Sequence, residues 1–209
     1  MQTIKLVGVP AETTLSPSKI VCIGRNYVEH IQELNNEVPS EPVIFIKPNS
    51  AISTTLIAGD EETHHYEAEI CFLIKNNQLQ GVGMGLDITK RETQSRLKAK
   101  GLPWERAKAF NGSAVFSDFI KLEVPLESLQ LNLSINDVLT QQASYELMIY
   151  KPHIILEEVQ SFMSFEDGDI LMTGTPKGVG KYHQGDQFKM ELYSQETLLL
   201  SQNWQACRL

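Results

Sequence analysis

The sequence predicts an α+β fold in which short strands outnumber helices. Segments such as KMELY and LNLSI alternate polar and apolar residues, which is the two-residue period of a half-buried strand. Helical stretches interrupt the strands without alternating with them, and this disfavours a doubly wound α/β sheet. The 209 residues are 42% hydrophobic and contain no repeat, linker or low-complexity segment, so we assign residues 1–209 to a single domain.

The predicted elements cover most of the chain. A stretch at 152–162 begins with proline, which suits a first helical turn because proline has no N–H to leave unpaired there. Two further helices are predicted at 26–34 and 89–100. The predicted strands, each a short apolar run mostly bounded by Gly, Pro or Asn, are 20–24, 43–47, 69–74, 131–135, 170–173, 188–193 and 197–201.

Composition and charge exclude several classes of function. The formal net charge is −8 and no Lys/Arg cluster offers a basic face, so we expect no nucleic-acid partner. No apolar run approaches the roughly 18 residues that cross a bilayer, and residues 1–20 lack the features of a signal peptide. Three widely spaced cysteines without a CxxC motif indicate neither a disulfide framework nor a zinc site. We therefore expect a cytoplasmic protein with no membrane partner.

Three acidic residues form the strongest candidate site. The segment HHYEAE leads into a predicted strand, where Glu67 and Glu69, two positions apart, point to the same face. Asp87 lies 18 positions after Glu69, just past an apparent strand and just before a predicted helix. Three carboxylates without a cysteine form a hard oxygen site suited to Mg²⁺ or Mn²⁺, although a bare ExE pair is more often solvated. His64 and His65 offer a rival site, but neighbouring strand residues face opposite ways.

A second candidate lies in the segment GRNYVEHIQE. His30 and Glu33 are three residues apart, so on a helix they are neighbours, and a carboxylate there can orient an imidazole as a general base. The alternative is a plain polar helix face. The following loop, 35–42, is expected to close over a substrate as a lid, with a rigid packed helix as the alternative.

The glycine-rich segments do not support a nucleotide site. In GTPKGVGKY, five residues separate the two outer glycines where a phosphate-binding loop has four, and Lys181 is followed by Tyr182 rather than Ser or Thr. Pro176 also removes a backbone donor from this loop. The GVGMG run misses GxGxxG by one residue.

Six segments in order resemble the fumarylacetoacetate hydrolase family in its small single-domain bacterial form. They are KIVCIGRNYVEHIQEL, EPVIFIKPNSAI, HHYEAEICFLI, GLDITKRETQ, KGLPWERAKAFNGSAVFS and SFEDGDILMTGTPKGVG. The resemblance implies a mixed β-sandwich roll, a homodimer and bound Mg²⁺ or Mn²⁺. Motif by motif, it implies metal ligands Glu67, Glu69 and Asp87, catalytic residues His30, Glu33 and Lys108, and substrate-binding residues Arg91, Gln94 and Thr175. We add Arg25 and Lys47 to the expected substrate-binding residues.

The resemblance also implies a small 2-oxo acid as substrate. A metal that holds the keto and carboxylate oxygens can stabilise the enolate formed when a bond to C3 breaks. We rank C–C hydrolysis of acylpyruvates first, with His30 activating the water. Oxaloacetate decarboxylation or tautomerisation is the alternative, followed by isomerisation or hydration of 2-oxohept-3-enedioate. A non-catalytic metal-binding domain is the alternative from another class.

Two departures from the family pattern bear on specificity. The segment between Glu69 and Asp87 is shorter than in most members, and KAFNGSAVFS lacks the proline that usually follows the KxF motif. The shorter segment lies at the expected edge of the pocket, where it affects the choice of substrate.

Overall fold

A computed structural model describes residues 1–8, 13–33, 39–59 and 62–208. Strands dominate these residues, and the four helices are short: α1 (Val28–Glu33), α2 (Arg91–Ala99), α3 (Glu105–Lys108) and α4 (Pro152–Gln160). The strands are β1 (Ile4–Val7), β2 (Thr13–Leu15), β3 (Lys19–Gly24), β4 (Val43–Pro48), β5 (Ile52–Ser53), β6 (His64–Tyr66), β7 (Ala68–Lys75), β8 (Gln78–Asp87), β9 (Thr89–Lys90), β10 (Ala114–Phe116), β11 (Phe119–Lys121), β12 (Leu129–Ile135), β13 (Val138–Ser144), β14 (Ile170–Met172), β15 (Gly180–Lys181), β16 (Gln187–Ser194) and β17 (Thr197–Gln205).

The strands form three sheets. A large mixed sheet has the order β2-β1-β11-β8-β7-β14-β3-β4, with β10 pairing both β8 and β5. Its parallel pairs are β1–β11, β10–β5 and β14–β3, and its other pairs are antiparallel. A four-stranded antiparallel sheet has the order β13-β12-β16-β17, and a small sheet joins β15, β6 and β9. The strand-rich α+β prediction is therefore confirmed.

Strand β7 lies in the middle of the large sheet and is buried on both faces. Ile70 and Phe72 belong to the core cluster between the large sheet and the four-stranded sheet. Cys71 and Leu73 point the other way, into a second cluster with residues of β3, β10 and β14. A strand covered on both faces reads as an uninterrupted apolar run, which explains why EICFLI does not alternate.

The structure contains the predicted strands and helices, but their first and last residues differ from the prediction. The three predicted helices correspond to α1, α2 and α4; α2 and α4 are shorter than predicted, and α1 begins at Val28 rather than at residue 26. Each of the seven predicted strands overlaps an observed one; β17, for example, continues to Gln205 instead of ending at 201. Among the described residues, the helices are too short or too polar to span a lipid bilayer. The assignment of the chain to one domain stays a prediction.

The sequence indicates a strand just before Asp87, which corresponds to the end of β8, although the glycines of this segment are unfavourable in strands. A Cβ atom at Gly85 would lie 2.7 Å from Cys71 Sγ and 2.8 Å from the Phe116 ring. At Gly83, it would lie 2.9 Å from the Phe119 ring. The glycines are therefore needed for the close approach of β10 and β11 to β8.

A two-residue turn joins β7 to β8. Asn76 and Asn77 both have positive φ, 50° and 57°, and connect the paired residues Lys75 and Gln78. Two central residues with positive φ form the turn whose twist matches a β-hairpin, and asparagine tolerates this conformation. The tight turn accounts for the short segment between Glu69 and Asp87.

Candidate active site

The β7–β8 hairpin brings the three acidic residues together. Glu69 lies in β7, Glu67 immediately precedes β7, and Asp87 is the last residue of β8. Ala68 pairs with Leu86, and the Asp87 N–H donates to the Glu67 carbonyl oxygen at 2.8 Å. One ligand oxygen from each carboxylate lies within 4.8 Å of the others. We call Glu67, Glu69 and Asp87 the carboxylate triad.

Lys108, at the end of α3, bridges two members of the triad. Its Nζ donates to Glu67 Oε2 and Asp87 Oδ2, both at 2.8 Å, and to Thr89 Oγ1 at 2.6 Å. Burial alone would lower the pKa of Lys108, but Asp87 and Glu67 outweigh burial and raise this pKa. The side chain is therefore an ammonium group with all three protons in use, so it must release one partner to contact a ligand.

Lys47 and Arg91 complete the charge balance around the triad. Lys47 is fully buried; its Nζ lies 2.8 Å from Asp87 Oδ1 and donates to the Ser113 carbonyl oxygen at 3.0 Å. Arg91 Nη2 donates to Glu67 Oε1, and Nη1 donates to Gln94 Oε1 at 2.8 Å. The three cations Lys47, Lys108 and Arg91 therefore match the three acids in number.

Within the triad, the two glutamates have opposite electrostatic environments. Burial is the largest influence on the pKa of Glu69, and the charges of Asp87 and Glu67 add to it, so this pKa lies well above the usual range. Burial also acts to raise the pKa of Glu67, but Lys108 and Arg91 outweigh it and hold this pKa well below the usual range. Negative charge is therefore least compensated at Glu69, where a cation is most needed.

The triad fits a hard divalent cation. Asp87 Oδ1 is buried, and its contact with Lys47 lacks hydrogen-bond geometry, so this oxygen accepts no hydrogen bond from the described residues. A buried acceptor without a donor is costly unless something else, such as a metal ion, binds it. All three ligand side chains are carboxylates, which suits Mg²⁺ or Mn²⁺ better than zinc.

His30 and Glu33 of α1 form the pair that the sequence predicts. His30 Nδ1 lies 3.4 Å from Glu33 Oε2, and the Glu33 oxygens accept the Gly178 N–H at 3.0 and 3.2 Å. Burial is the main influence on His30 and lowers its pKa, whereas Glu67 and Glu33 act in the opposite direction. The imidazole is therefore neutral at pH 7. With Nδ1–H directed to Glu33, Nε2 is the proton acceptor.

A cleft opens onto the triad. Of the substrate-binding candidates, Arg25, Arg91, Gln94 and Thr175 line the cleft, but Lys47 does not and lies behind Asp87 instead. Its full burial gives it the role of holding Asp87 rather than reaching a substrate. The predicted lid 35–42 is described only from residue 39, because residues 34–38 lie outside the described residues. The other predicted residues that line the cleft are His30, Glu67, Glu69, Asp87 and Lys108.

The loop after β14 closes one side of the cleft and is held by a residue that sequence reasoning missed. Gly174 N–H donates to Glu69 Oε2 at 2.7 Å, and Thr175 Oγ1 donates to the Ala68 carbonyl oxygen at 3.0 Å. Gln141 Nε2 donates to Thr175 Oγ1 at 2.9 Å, and its Oε1 accepts the Ala68 N–H at 3.0 Å. Buried Gln141 on β13 thus joins the loop to the chain between the glutamates. No motif distinguishes this glutamine in the sequence.

Sequence reasoning also missed an aromatic wall and one cation of the cleft. Phe45 of β4 and Trp104, which precedes α3, line the cleft with ring centroids 5.9 Å apart. Lys98 of α2 lies beside them, with Nζ 5.9 Å from the Trp104 centroid. These residues come from three separate segments, so only the fold brings them together.

Neither neighbouring histidine belongs to the triad. His64 is buried, and its Nδ1 lies 3.1 Å from the Ile57 carbonyl oxygen. Its ring also packs 5.0 Å from that of Phe110. His65 Nδ1 is buried and has no hydrogen-bond partner in the described parts of the chain. Burial, followed by the charge of Arg91, lowers the pKa of His65 to about 4, so its imidazole is neutral at pH 7.

The mixed sheet and the carboxylate triad define the class of protein: a strand-rich fold in which a β-hairpin carries a buried acidic site. Residues 19–200 match the family described as "Fumarylacetoacetate (FAA) hydrolase C-terminal". The chain belongs to the fumarylacetoacetate hydrolase family, as the resemblance of its motifs indicates. The expected fold of that family is confirmed as well.

Relatives and solved structures support this assignment. An oxaloacetate tautomerase of Escherichia coli is 36% identical over 188 residues, which cover 81% of this chain and 86% of that protein. A fumarylacetoacetate isomerase/hydrolase candidate from Oleispira antarctica is 34% identical, with a TM-score of 0.91 and coverage of 99% and 100%. Fumarylpyruvate hydrolase from Pseudomonas aeruginosa, solved with Mn²⁺ and pyruvate, is 25% identical, with a TM-score of 0.88 and coverage of 100% and 96%.

Proposed function

We propose that the protein catalyses keto–enol tautomerisation of oxaloacetate with Mg²⁺ or Mn²⁺ bound by Glu67, Glu69 and Asp87. The observation that carries the proposal is the carboxylate triad at the base of a cation-lined cleft, with a buried Asp87 oxygen that accepts no hydrogen bond from the described residues. The naming of the Escherichia coli relative as an oxaloacetate tautomerase favours this reaction over the acylpyruvate hydrolysis that we ranked first from the sequence.

The side chains of the cleft supply the binding groups. Arg91 donates a hydrogen bond to Gln94 Oε1. The NH₂ group of Gln94 therefore remains to donate to the carboxylate of a 2-oxo acid in the cleft. When bound, Mg²⁺ or Mn²⁺ supplies positive charge that stabilises the negative charge of an enolate. The buried Asp87, held by Lys47 and Lys108, keeps its oxygens in place without reorganisation.

His30 is the group that moves the proton. The substrate must lose a proton from C3 and gain one on the C2 oxygen, or the reverse. A neutral imidazole that lines the cleft and is oriented through Nδ1 by Glu33 can accept the C3 proton at Nε2. Glu33 is itself held by the Gly178 N–H, so both residues of the pair are fixed to the loop after β14.

Acylpyruvate hydrolysis is the second candidate, and the same pair favours it. Attack on a distal carbonyl needs an activated water, for which an oriented imidazole is a suitable base. The similar structure from Pseudomonas aeruginosa is named as a fumarylpyruvate hydrolase. Both reactions pass through an enolate of the same 2-oxo acid unit. A homodimer, a cytoplasmic location and the lack of nucleic-acid and membrane partners stay predictions.

The test follows the absorbance of the enol. Freshly dissolved oxaloacetate is mixed with the protein, and the approach to keto–enol equilibrium is compared with Mg²⁺, with EDTA and without protein. We expect Mg²⁺-dependent acceleration by the wild-type protein and its loss in Glu69→Gln. A wild-type rate equal to the buffer rate at saturating Mg²⁺ rejects the proposal. Turnover of acetylpyruvate but not of oxaloacetate would select hydrolysis instead.

A further inference from the structure

Gln141 is a polar residue on the buried face of β13. Gln141 and Ala143 are both buried and lie two positions apart, so their side chains point to the same side of the strand. Gln142, between them, points to the opposite side and is exposed. A buried amide is costly unless its polar atoms are paired, so the partners of Gln141 indicate what it does.

The main-chain groups of Ala68 face away from the β7–β8 hairpin. The Asp87 N–H donates to the Glu67 carbonyl oxygen at 2.8 Å. Ala68 and Leu86, the pair beside this bond, are therefore a non-hydrogen-bonded pair, and the N–H and C=O of Ala68 point away from β8. On that side, β14 pairs with β7 only as far as Cys71, three positions from Ala68. Ala68 therefore needs side-chain partners.

Gln141 and Thr175 supply these partners in a closed ring of hydrogen bonds. Gln141 Oε1 accepts the Ala68 N–H at 3.0 Å, and Gln141 Nε2 donates to Thr175 Oγ1 at 2.9 Å and to the Pro176 carbonyl oxygen at 3.0 Å. Thr175 Oγ1 completes the ring by donating to the Ala68 carbonyl oxygen at 3.0 Å. Because an N–H only donates and a carbonyl oxygen only accepts, these partners fix the orientation of the amide and direct the hydroxyl proton of Thr175 to Ala68.

The same glutamine supports the loop that contacts Glu69. A Cβ atom at Gly178 would lie 2.3 Å from the Thr140 carbonyl oxygen and 3.3 Å from Gln141 Cγ, so the loop lies directly on β13. At the other end of this loop, the Gly174 N–H donates to Glu69 Oε2 at 2.7 Å. A displacement of the loop would therefore reach a carboxylate of the triad.

We propose that Gln141 is a positioning residue of the metal site, which sets the spacing of the Glu67 and Glu69 carboxylates. It holds Ala68, the residue that joins the two glutamates, through the N–H directly and through the carbonyl by way of Thr175. The described lining of the cleft does not include Gln141, so it acts through these neighbours. The proposal deepens the proposed function, because it rests on the triad as the site of Mg²⁺.

The experiment measures Mg²⁺ affinity by isothermal titration calorimetry without substrate, at a temperature well below the Tm of each protein. Gln141→Met keeps the length and most of the volume of the side chain and removes its amide. Gln142→Met is the matched control, because this neighbouring glutamine is exposed and donates only to Asn132 Oδ1, at 3.2 Å. The Tm of each protein in EDTA is measured alongside.

We expect Gln141→Met to weaken Mg²⁺ binding by about 10–100-fold, the usual effect of removing a residue that orients metal ligands. Gln142→Met should stay within about twofold of wild type, as surface substitutions do. A purely structural role predicts a lower Tm for Gln141→Met with unchanged Mg²⁺ affinity of the folded protein, and that result overturns the proposal.

A second variant keeps the test decisive if Gln141→Met does not fold. Thr175→Val removes the hydroxyl that links Gln141 to the Ala68 carbonyl at nearly constant volume, and it should also weaken Mg²⁺ binding; unchanged affinity overturns the proposal. Because no substrate is present, the outcome is independent of turnover. If Mg²⁺ affinity follows the expected pattern but the wild type does not tautomerise oxaloacetate, the proposed function fails and the role of Gln141 stands.

Discussion

Replacement of Lys108 by methionine removes the ammonium group that bridges two carboxylates of the triad. Lys108 is 3% exposed, and its three hydrogen bonds, to Glu67, Asp87 and Thr89, have lengths of 2.8, 2.8 and 2.6 Å. Methionine fills a similar volume but carries no charge, so Lys47 and Arg91 remain as the two cations beside the three acids. The metal-free protein should therefore be destabilised by uncompensated buried charge.

The size of the effect follows from this burial. Removal of one partner from a buried ion pair costs about 3–5 kcal/mol. For a chain of about 200 residues, each kcal/mol shifts Tm by about 2–4 °C, so Lys108→Met should melt about 6–20 °C below wild type in EDTA. Saturating Mg²⁺ should recover much of this loss, because the ion replaces the missing positive charge. Differential scanning calorimetry in EDTA and in Mg²⁺ measures both effects.

A surface lysine provides the control. Lys121 and Glu123 form an ion pair at 2.6 Å, but their side chains are 56% and 67% exposed, so Lys121→Met should change stability by less than about 1 kcal/mol. If Lys108→Met and the wild-type protein have the same Tm in EDTA, Lys108 does not neutralise the triad. If Mg²⁺ stabilises wild type and the variant equally, the ion does not replace the lysine charge.

Three further predictions concern the metal ligands and the base. Glu69→Gln removes one charge at nearly constant shape and should abolish Mg²⁺ binding in calorimetry; unchanged binding would show that the triad is not the metal site. His30→Asn should slow tautomerisation and acylpyruvate hydrolysis by about 10²–10⁴-fold but oxaloacetate decarboxylation much less, and parallel losses would contradict the role as a base. Because burial lowers the pKa of His30 from 6.5, kcat/KM should fall only at pH values below 6.5. Between the lowered pKa of His30 in the folded protein and its value of 6.5 in the unfolded chain, the unfolded state binds more protons, so the free energy of unfolding should rise with pH in that range. A loss of kcat/KM that begins above pH 6.5 as the pH is lowered would contradict this account.

The parts of the site that sequence could predict are those encoded by local spacing. Glu67 and Glu69 are two positions apart and His30 and Glu33 three, so a strand and a helix bring each pair together without knowledge of the fold. Asp87 needs the fold as well, because it reaches the triad through the pairing of β7 with β8.

Residues that depend on tertiary packing could not be predicted in this way. Phe45, Lys98 and Trp104 meet only where β4, α2 and the start of α3 converge, and none has a distinguishing local pattern. Buried Gln141 joins the four-stranded sheet to the loop after β14, a contact between distant parts of the chain. The sequence predicts Lys47 as a substrate-binding residue, because residue type alone does not reveal that its side chain is fully buried behind Asp87.

Strand β8 shows the same limit in the fold. Its glycines lower the strand propensity of the segment, yet the packing of the Phe116 and Phe119 rings against them requires glycine. Tertiary packing here overrides local preference: the sequence indicates a strand before Asp87, but only the packing explains why that strand carries glycines.

A crystal structure with Mg²⁺ and oxalate tests the central claim most directly. We expect one ion with oxygen ligands from Glu67, Glu69 and Asp87 at about 2.0–2.1 Å and oxalate chelating the same ion from the cleft. An ion bound elsewhere, or oxalate seated away from the triad, would contradict the account.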